Sequence, residues 1–307
     1  KKNYPAFAKY CADVAEHFIG EGIPVKYISP VNEPFWVWNG GQEGCHYRPS
    51  SCRKVLRAFV KELDGRKTLD GVRLSGCENG DIRWFNKSYS RAVLGDPLVR
   101  TRLGALDIHS YCLHMPIPFF NNRMSFLKRF AKWMSKNYPD VPVNMSEWTH
   151  MQGGRDKGMD SALVTANVMY EDLSVLNVIS WQHWIAVSEV NYCDGLIYIN
   201  LDDKTFEMTK RYYVTGNFSK YVPTDSVRVD AACDDPELRL LAFKYDGGCA
   251  VIVINSTKKE KELSLPEQYS AVKSAVTDDS DNLREYDIAD PGHIKITPRS
   301  VTTIILR

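Results

Sequence analysis

Two kinds of apolar segment alternate along the first 221 residues, and that alternation constrains the fold more tightly than any other feature of the chain. Ala6–Gly20 repeats apolar residues at helical spacing (Phe7, Tyr10, Val14, Phe18) and ends on a glycine, a common helix terminator. The run 25–33 that follows reads as a strand finishing at Glu33. Helices are expected at Ser51–Leu63, Trp84–Leu94, Pro97–Leu103, Arg123–Asn137, Ser161–Leu176 and Lys210–Tyr221. Strands are expected at Val72–Glu78, Ala105–Tyr111, Val141–Glu147 and Val178–Trp184. Five strands separated by helices imply a parallel sheet with right-handed crossovers, either doubly wound or closed on itself. A dinucleotide-binding sheet would carry a glycine-rich turn after a strand, and none of the five has one.

Polar and aromatic side chains gather where the strands end: Asn32 and Glu33, Glu78, His109 and Tyr111, Glu147 and Trp148, Trp181 and Trp184. In a (β/α)8 TIM barrel those ends form one rim, where such folds place their active sites. The expected fold class is therefore α/β, with residues 1–221 forming part of a barrel. After Pro223 the texture changes to short alternating segments broken by turn residues, with Asp246-Gly247-Gly248 a hairpin signal and Asp290-Pro291-Gly292 a bend. Residues 222–307 are expected to form a C-terminal antiparallel β-sandwich.

The formal net charge of +1 on 307 residues leaves no field to attract nucleic acid or an anionic membrane, so a neutral partner is expected. No run of 18 apolar residues is present, and membrane insertion is not expected. The eight cysteines show no C-x-x-C pair or His-rich spacing, so a metal is not expected. Cys45 and Cys52 flank a short loop and could form a disulfide in an oxidising compartment, whereas Cys112 and Cys249 sit in apolar runs that suggest buried thiols. Asn86, Asn144, Asn217 and Asn255 each start a glycosylation pattern, one frequent by chance.

Glu33, in Asn32-Glu33-Pro34, and Glu147, in Met145-Ser146-Glu147-Trp148, are two carboxylic acids delivered at strand ends. Glycoside hydrolysis commonly needs such a pair, one acid to protonate the leaving oxygen and one to attack or to activate water. Taken alone, Asn-Glu-Pro is as readily a plain turn. The whole run Ile28-Ser29-Pro30-Val31-Asn32-Glu33-Pro34, followed by Gln42-Glu43-Gly44, resembles glycoside hydrolase family 30 of the clan A barrels. Met145-Ser146-Glu147-Trp148 resembles that family's nucleophile strand, Trp181-Gln182-His183-Trp184 its eighth strand, and Phe218-Ser219-Lys220-Tyr221-Val222-Pro223 its junction with a side β-sandwich.

The resemblance implies a retaining mechanism, with Glu33 on the fourth barrel strand as acid/base and Glu147 on the seventh as nucleophile. It implies that the five strands are the fourth to eighth of eight, so the chain is expected to be a fragment lacking the first three. For both acids to work near neutral pH their pKa values must be pushed apart, with that of Glu33 raised.

Glu78 is a third acid at a strand end and a weaker candidate for the nucleophile. His109 and Tyr111 could hydrogen-bond the nucleophile or a substrate hydroxyl, and His109 is nearly as readily a satisfied structural histidine. Asn32 offers an amide to a sugar hydroxyl. Trp36, Trp38, Trp84, Trp148, Trp181 and Trp184 are candidate sugar platforms, with Trp38, Trp148 and Trp184 assigned to substrate binding, because sugar C–H faces stack on such rings. Glu43 reads as a loop anchor or subsite contact.

The expected partner is a polysaccharide or oligosaccharide, and the expected protein a secreted or periplasmic monomer. The loop from Phe35 to Cys52 resembles family members that cut β-1,6-linked galactan. No Arg lies between Ala186 and Leu201, where glucuronate-binding xylanases of the family are expected to supply a cation. Xylanase, β-glucanase and glucosylceramidase remain the alternatives, as does a carbohydrate-binding fragment without turnover.

Overall fold

The computed structural model describes residues 3–38, 40–41, 44–83, 85–112, 122–266 and 269–307. Gln42, Glu43 and Trp84, singled out in the sequence, lie outside the described residues. The chain divides into two compact units, one of Lys1–Trp148 with Val175–Gln182, the other of Thr149–Ser174 with His183–Arg307.

In the first unit the helices are α1 (Tyr4–Gly20), α2 (Pro49–Asp64), α3 (Phe85–Leu94), α4 (Pro97–Arg102) and α5 (Arg123–Asn137). They alternate with β1 (Tyr27–Ile28), β2 (Arg73–Ser75), β3 (Leu103–His109), β4 (Val143–Trp148) and β5 (Ser180–His183), which lie side by side in chain order. A parallel sheet whose spatial order follows its sequence order is an open stretch of a barrel. β1 is far shorter than the expected 25–33 run because Pro24 and Pro30 bracket it, and proline has no N–H for a ladder. α2 shows why the helices form where they do: Val55, Leu56, Phe59, Val60 and Leu63 recur at helical spacing, and all five are buried. Each such side chain contributes about 1.5–3 kcal/mol on burial. α4 starts at Asp96, whose carboxylate accepts from the Leu98 and Val99 amides, with Pro97 at the first helical position.

The register between β3 and β4 is irregular at the point that matters. Ile108 pairs with Met145, but His109 pairs with Glu147, so Ser146 is an extra residue on β4. A bulge of this kind re-aims the side chains beyond it.

The second unit contains α6 (Met159–Glu171), which runs into a π-helical turn, and α7 (Lys210–Ser219). It also holds two elements that the sequence pattern missed. One is a three-stranded sheet of β6 (Val187–Ser188), β7 (Ile197–Asn200) and β8 (Thr205–Met208), and the other a strand at Arg284–Asp287. The strands that follow α7 are β9 (Val227–Val229), β10 (Leu238–Tyr245), β11 (Gly248–Asn255), β12 (Lys261–Leu263), β13 (Ala271–Thr277), β14 (Arg284–Asp287), β15 (Ile294–Ile296) and β16 (Ser300–Leu306). Six of them form one antiparallel sheet, ordered β14-β13-β16-β11-β10-β9, and β12 pairs with β15. Leu263, Ile294 and Ile296 from that pair share one core with Leu238, Val251, Val253 and Ile304 of the larger sheet. The two-residue loop Asp246-Gly247 joins β10 to β11, with Gly247 at φ 80°, as its glycine foretold.

Asn217 ties α7 to this sheet, donating to the Ala275 carbonyl at 2.9 Å and to Thr303 Oγ1 at 3.1 Å. It is fully buried, as are Asn86 and Asn255, and Asn144 is nearly so. The four glycosylation patterns therefore fall on interior asparagines. All eight cysteines are free thiols, Cys45 and Cys52 included, and Cys112 and Cys249 are half-buried instead of interior. No helix among the described residues is long and apolar enough to cross a membrane.

Candidate active site

Each acid of the site owes its position to an interruption at a strand end. Past β1, Glu33 adopts φ 45°, and past β2, Glu78 adopts φ 43°, left-handed backbone that non-glycine residues rarely take. The Glu33 amide donates to the Glu78 carbonyl at 2.9 Å, which locks the two bends together. Strain of this kind gathers at functional sites, where the surrounding structure holds it in place. Glu147 reaches the same place from β4 by way of the Ser146 bulge.

His109, only 1% exposed, stands at the centre. Its Nδ1 lies 3.1 Å from Glu33 Oε1 and 3.6 Å from Glu147 Oε1, and its Nε2 lies 3.3 Å from Glu78 Oε2. Burial works against the imidazolium, yet hydrogen bonds to Glu33 and Glu78 and the charges of Glu147 and Glu78 outweigh it and carry the pKa to about 9. At neutral pH the ring holds both protons and offers no lone pair. The three acids thus surround a cation of the protein's own.

The carboxylates differ in environment. Burial works against charge on Glu78, but hydrogen bonds from His109, Ser146 and Ser29 prevail and hold its pKa below the usual carboxylate value. Burial raises the pKa of Glu147; His109 opposes the rise, Glu33 and Glu78 reinforce it, and Tyr111 counters it by donating from Oη to Glu147 Oε1 at 3.2 Å. A buried acid beside two others resists becoming a third negative charge. One oxygen of Glu33 and one of Glu147 lie within 4.8 Å of each other.

Of the residues singled out in the sequence, the fold brings Glu33, His109, Tyr111 and Glu147 into one cluster, with Glu78 beside them. Asn32 is exposed in the bend before Glu33. Trp38 is exposed, Trp148 is buried with its ring centroid 6.0 Å from that of Trp181, and Trp184 is exposed and belongs to the second unit. Sequence reasoning passed over Ser29, Gly80 and Ser146. Ser146 was detectable only as the neighbour of Glu147, and nothing local marked the other two.

Gly80 is required by space. A Cβ there would sit 2.5 Å from Glu33 Oε1 and 2.5 Å from Trp36 Nε1, closer than atoms approach. Gly80→Ala must therefore push the Glu33 carboxyl off His109. If the site is catalytic, kcat/KM is expected to fall on the order of 10²-fold, the usual cost of a misplacement near 1 Å, with little change in Tm. Unaltered turnover in the variant would show that Glu33 need not sit where it does.

A family profile described as O-glycosyl hydrolase family 30 matches residues 1–96 and 121–198 of the chain. Among curated proteins, the chain is 24% identical over 266 residues to an endo-β-1,6-galactanase of Hypocrea rufa, covering 82% of this chain and 47% of that protein. It is 23% identical over 205 residues to the lysosomal acid glucosylceramidase of Mus musculus, covering 60% of this chain and 37% of that protein. The chain thus spans less than half the length of either relative. Among solved structures, a conserved exported protein from Bacteroides fragilis superposes with a TM-score of 0.87 at 20% identity, covering 99% of this chain and 70% of that one. With a profile match over more than half its residues and both strand-end acids inside the matched segments, the chain belongs to O-glycosyl hydrolase family 30.

Proposed function

We propose that this chain carries the catalytic acids of a retaining glycosidase that cleaves β-glycosidic bonds in a polysaccharide, without metal or other cofactor. The observation that carries the reading is the short gap between Glu33 and Glu147, within 4.8 Å oxygen to oxygen. Retaining enzymes hold their two carboxyls roughly 5–5.5 Å apart, because the second acid itself attacks the sugar, while inverting enzymes leave roughly 6.5–9.5 Å for a water.

In this proposal Glu33 protonates the leaving glycosidic oxygen while Glu147 attacks the anomeric carbon. Glu33 then takes a proton from the water that releases the sugar. The raised pKa of Glu147 fits a nucleophile once the roles are taken together. The negative charge of Glu33 is one cause of the rise. Protonating Glu33, as the acid role demands, removes that repulsion and favours ionised Glu147, although burial, the larger cause of the rise, remains. Tyr111 holds the attacking carboxylate, and the His109 cation steadies both acids.

The substrate we favour is β-1,6-linked galactan, on the strength of the likeness to the Hypocrea rufa galactanase over most of this chain. Residues 1–221 are read as barrel and 222–307 as a side β-sandwich, in a secreted monomer. Asn32, Trp38 and Trp148 are the proposed sugar contacts.

Incubation with β-1,6-galactan, xylan and β-glucan, with the anomeric signal of the first product followed by proton NMR, tests this. Hydrolysis of galactan with initial release of the β-anomer is expected. An α-anomer at first turnover overturns the retaining mechanism, and binding without hydrolysis of any of the three points to the non-catalytic alternative.

A further inference from the structure

Glu78 has no part in the proposed reaction, yet the fold holds it inside the site in left-handed backbone, at φ 43°, that non-glycine residues rarely adopt. Its side chain is 15% exposed. Its Oε2 accepts from Ser146 Oγ, at the β4 bulge, and lies 3.3 Å from His109 Nε2. The other ring nitrogen, Nδ1, is 3.1 Å from Glu33 Oε1 and 3.6 Å from Glu147 Oε1. The two nitrogens of an imidazole point away from each other, so the ring stands between Glu78 and the pair of Glu33 and Glu147. Glu78 is therefore behind the ring, on the side away from the bond that the pair would cleave.

We propose that Glu78 is a positioning residue of the active site: anchored by Ser146, it fixes the His109 ring through Nε2 so that the Nδ1–H faces Glu33 and Glu147. The inference rests on the catalytic reading above. A histidine ring can turn about its last bond, and a partner on the far nitrogen selects one orientation. Ser146 has a single hydroxyl proton, and the Ile108 carbonyl at 3.3 Å is its more distant acceptor. Ser146 is also the extra residue of the bulge that aims Glu147, so one irregularity sets both the proposed nucleophile and the anchor of Glu78. The titratable groups around the ring are Glu33 after β1, Glu78 after β2, Tyr111 after β3 and Glu147 on β4, with Asp107 two residues earlier on the same side of β3. Glu78 is the acid in contact with Nε2.

Glu78→Gln keeps the shape and an acceptor for Nε2–H but removes the charge. In the full chain, kcat/KM is expected to fall on the order of 10²-fold, as when catalytic groups are displaced by about 1 Å. The loss should appear in kcat with KM nearly unchanged, since Glu78 does not touch substrate in this reading. Ser146→Ala should lose about 10-fold, the effect of one hydrogen bond to a charged group. Added to Glu78→Gln it should lose nothing further, because the serine acts through the glutamate. Azide should leave Glu78→Ala as slow as before and give no glycosyl azide, as expected of a residue that is not the nucleophile.

A second readout does not depend on turnover. The His109 ring titration, followed by nitrogen NMR, should lie near pH 9 in the parent and fall by about 1 to 3 pH units in Glu78→Gln, the effect of losing one opposite charge in contact. A His109 titration that does not move, a parental kcat in Glu78→Gln, fully additive losses in the double variant, or a glycosyl azide from Glu78→Ala each overturns the proposal. Should Glu78→Gln not fold, Ser146→Ala decides, and a parental kcat there overturns the proposal too. If the parent cuts no glycan, the catalytic reading fails, and the His109 titration still decides whether Glu78 holds the ring.

Discussion

Glu147→Ala is expected to lower kcat/KM by on the order of 10⁴-fold or more, because it removes the proposed nucleophile. The fold should survive the change. Glu147 gives up one hydrogen bond, from Tyr111, while Glu33 and Glu78 lose a neighbour of their own charge, so Tm should hold or rise slightly. The space left beside the anomeric carbon would admit a small anion. Added azide should restore turnover and yield a glycosyl azide, which separates a missing nucleophile from a collapsed site. Glycan hydrolysis assayed with and without azide checks this, and a variant that keeps parental activity would remove Glu147 from the mechanism.

His109→Phe carries the second large effect. The ring shape is kept and the charge removed, which leaves Glu33, Glu78 and Glu147 together without a cation. Loss of one preorganised electrostatic partner costs on the order of 10²–10³-fold in rate, and a similar fall in kcat/KM is expected here.

Stability should change with a definite pH dependence. The folded pKa of about 9 lies above the ordinary histidine value of 6.5, so the charge contributes on the order of 3 kcal/mol of stability. That contribution is fully present below pH 6.5 and is lost as pH rises through 9. The Tm gap between parent and variant should therefore be widest near pH 6 and close above pH 9. A gap that is constant with pH would mean that His109 is neutral and acts by packing alone.

Much of the framework was legible because it rests on local rules. The 3.6-residue spacing of Val55, Leu56, Phe59 and Leu63, the Asp96-Pro97 start of α4, and the Asp-Gly turn of β10–β11 each act over a few residues. α5 runs over the expected Arg123–Asn137, whereas the strand expected to run to Glu33 does not. Pro24 and Pro30 cut it to Tyr27–Ile28, and the acid sits in a left-handed bend beyond the ladder. The sheet of β6, β7 and β8 escaped notice because β8 is exposed along its whole length and Val187 of β6 is exposed too, so neither shows a buried period.

The identity of the acids was a matter of sequence. Asn32-Glu33-Pro34 and Met145-Ser146-Glu147-Trp148 named a pair at strand ends, since short apolar runs of this composition are local signals. Which groups surround that pair was decided by tertiary structure alone. Glu78 is 31 residues from His109, and His109 is 76 from Glu33, and only the parallel pairing of β1 to β4 makes them neighbours. The electrostatics follow from that juxtaposition. A histidine of ordinary pKa becomes a lasting cation because three acids converge on it, and Glu147 is raised because burial and neighbouring charge, not residue type, set the energy of ionising a carboxyl.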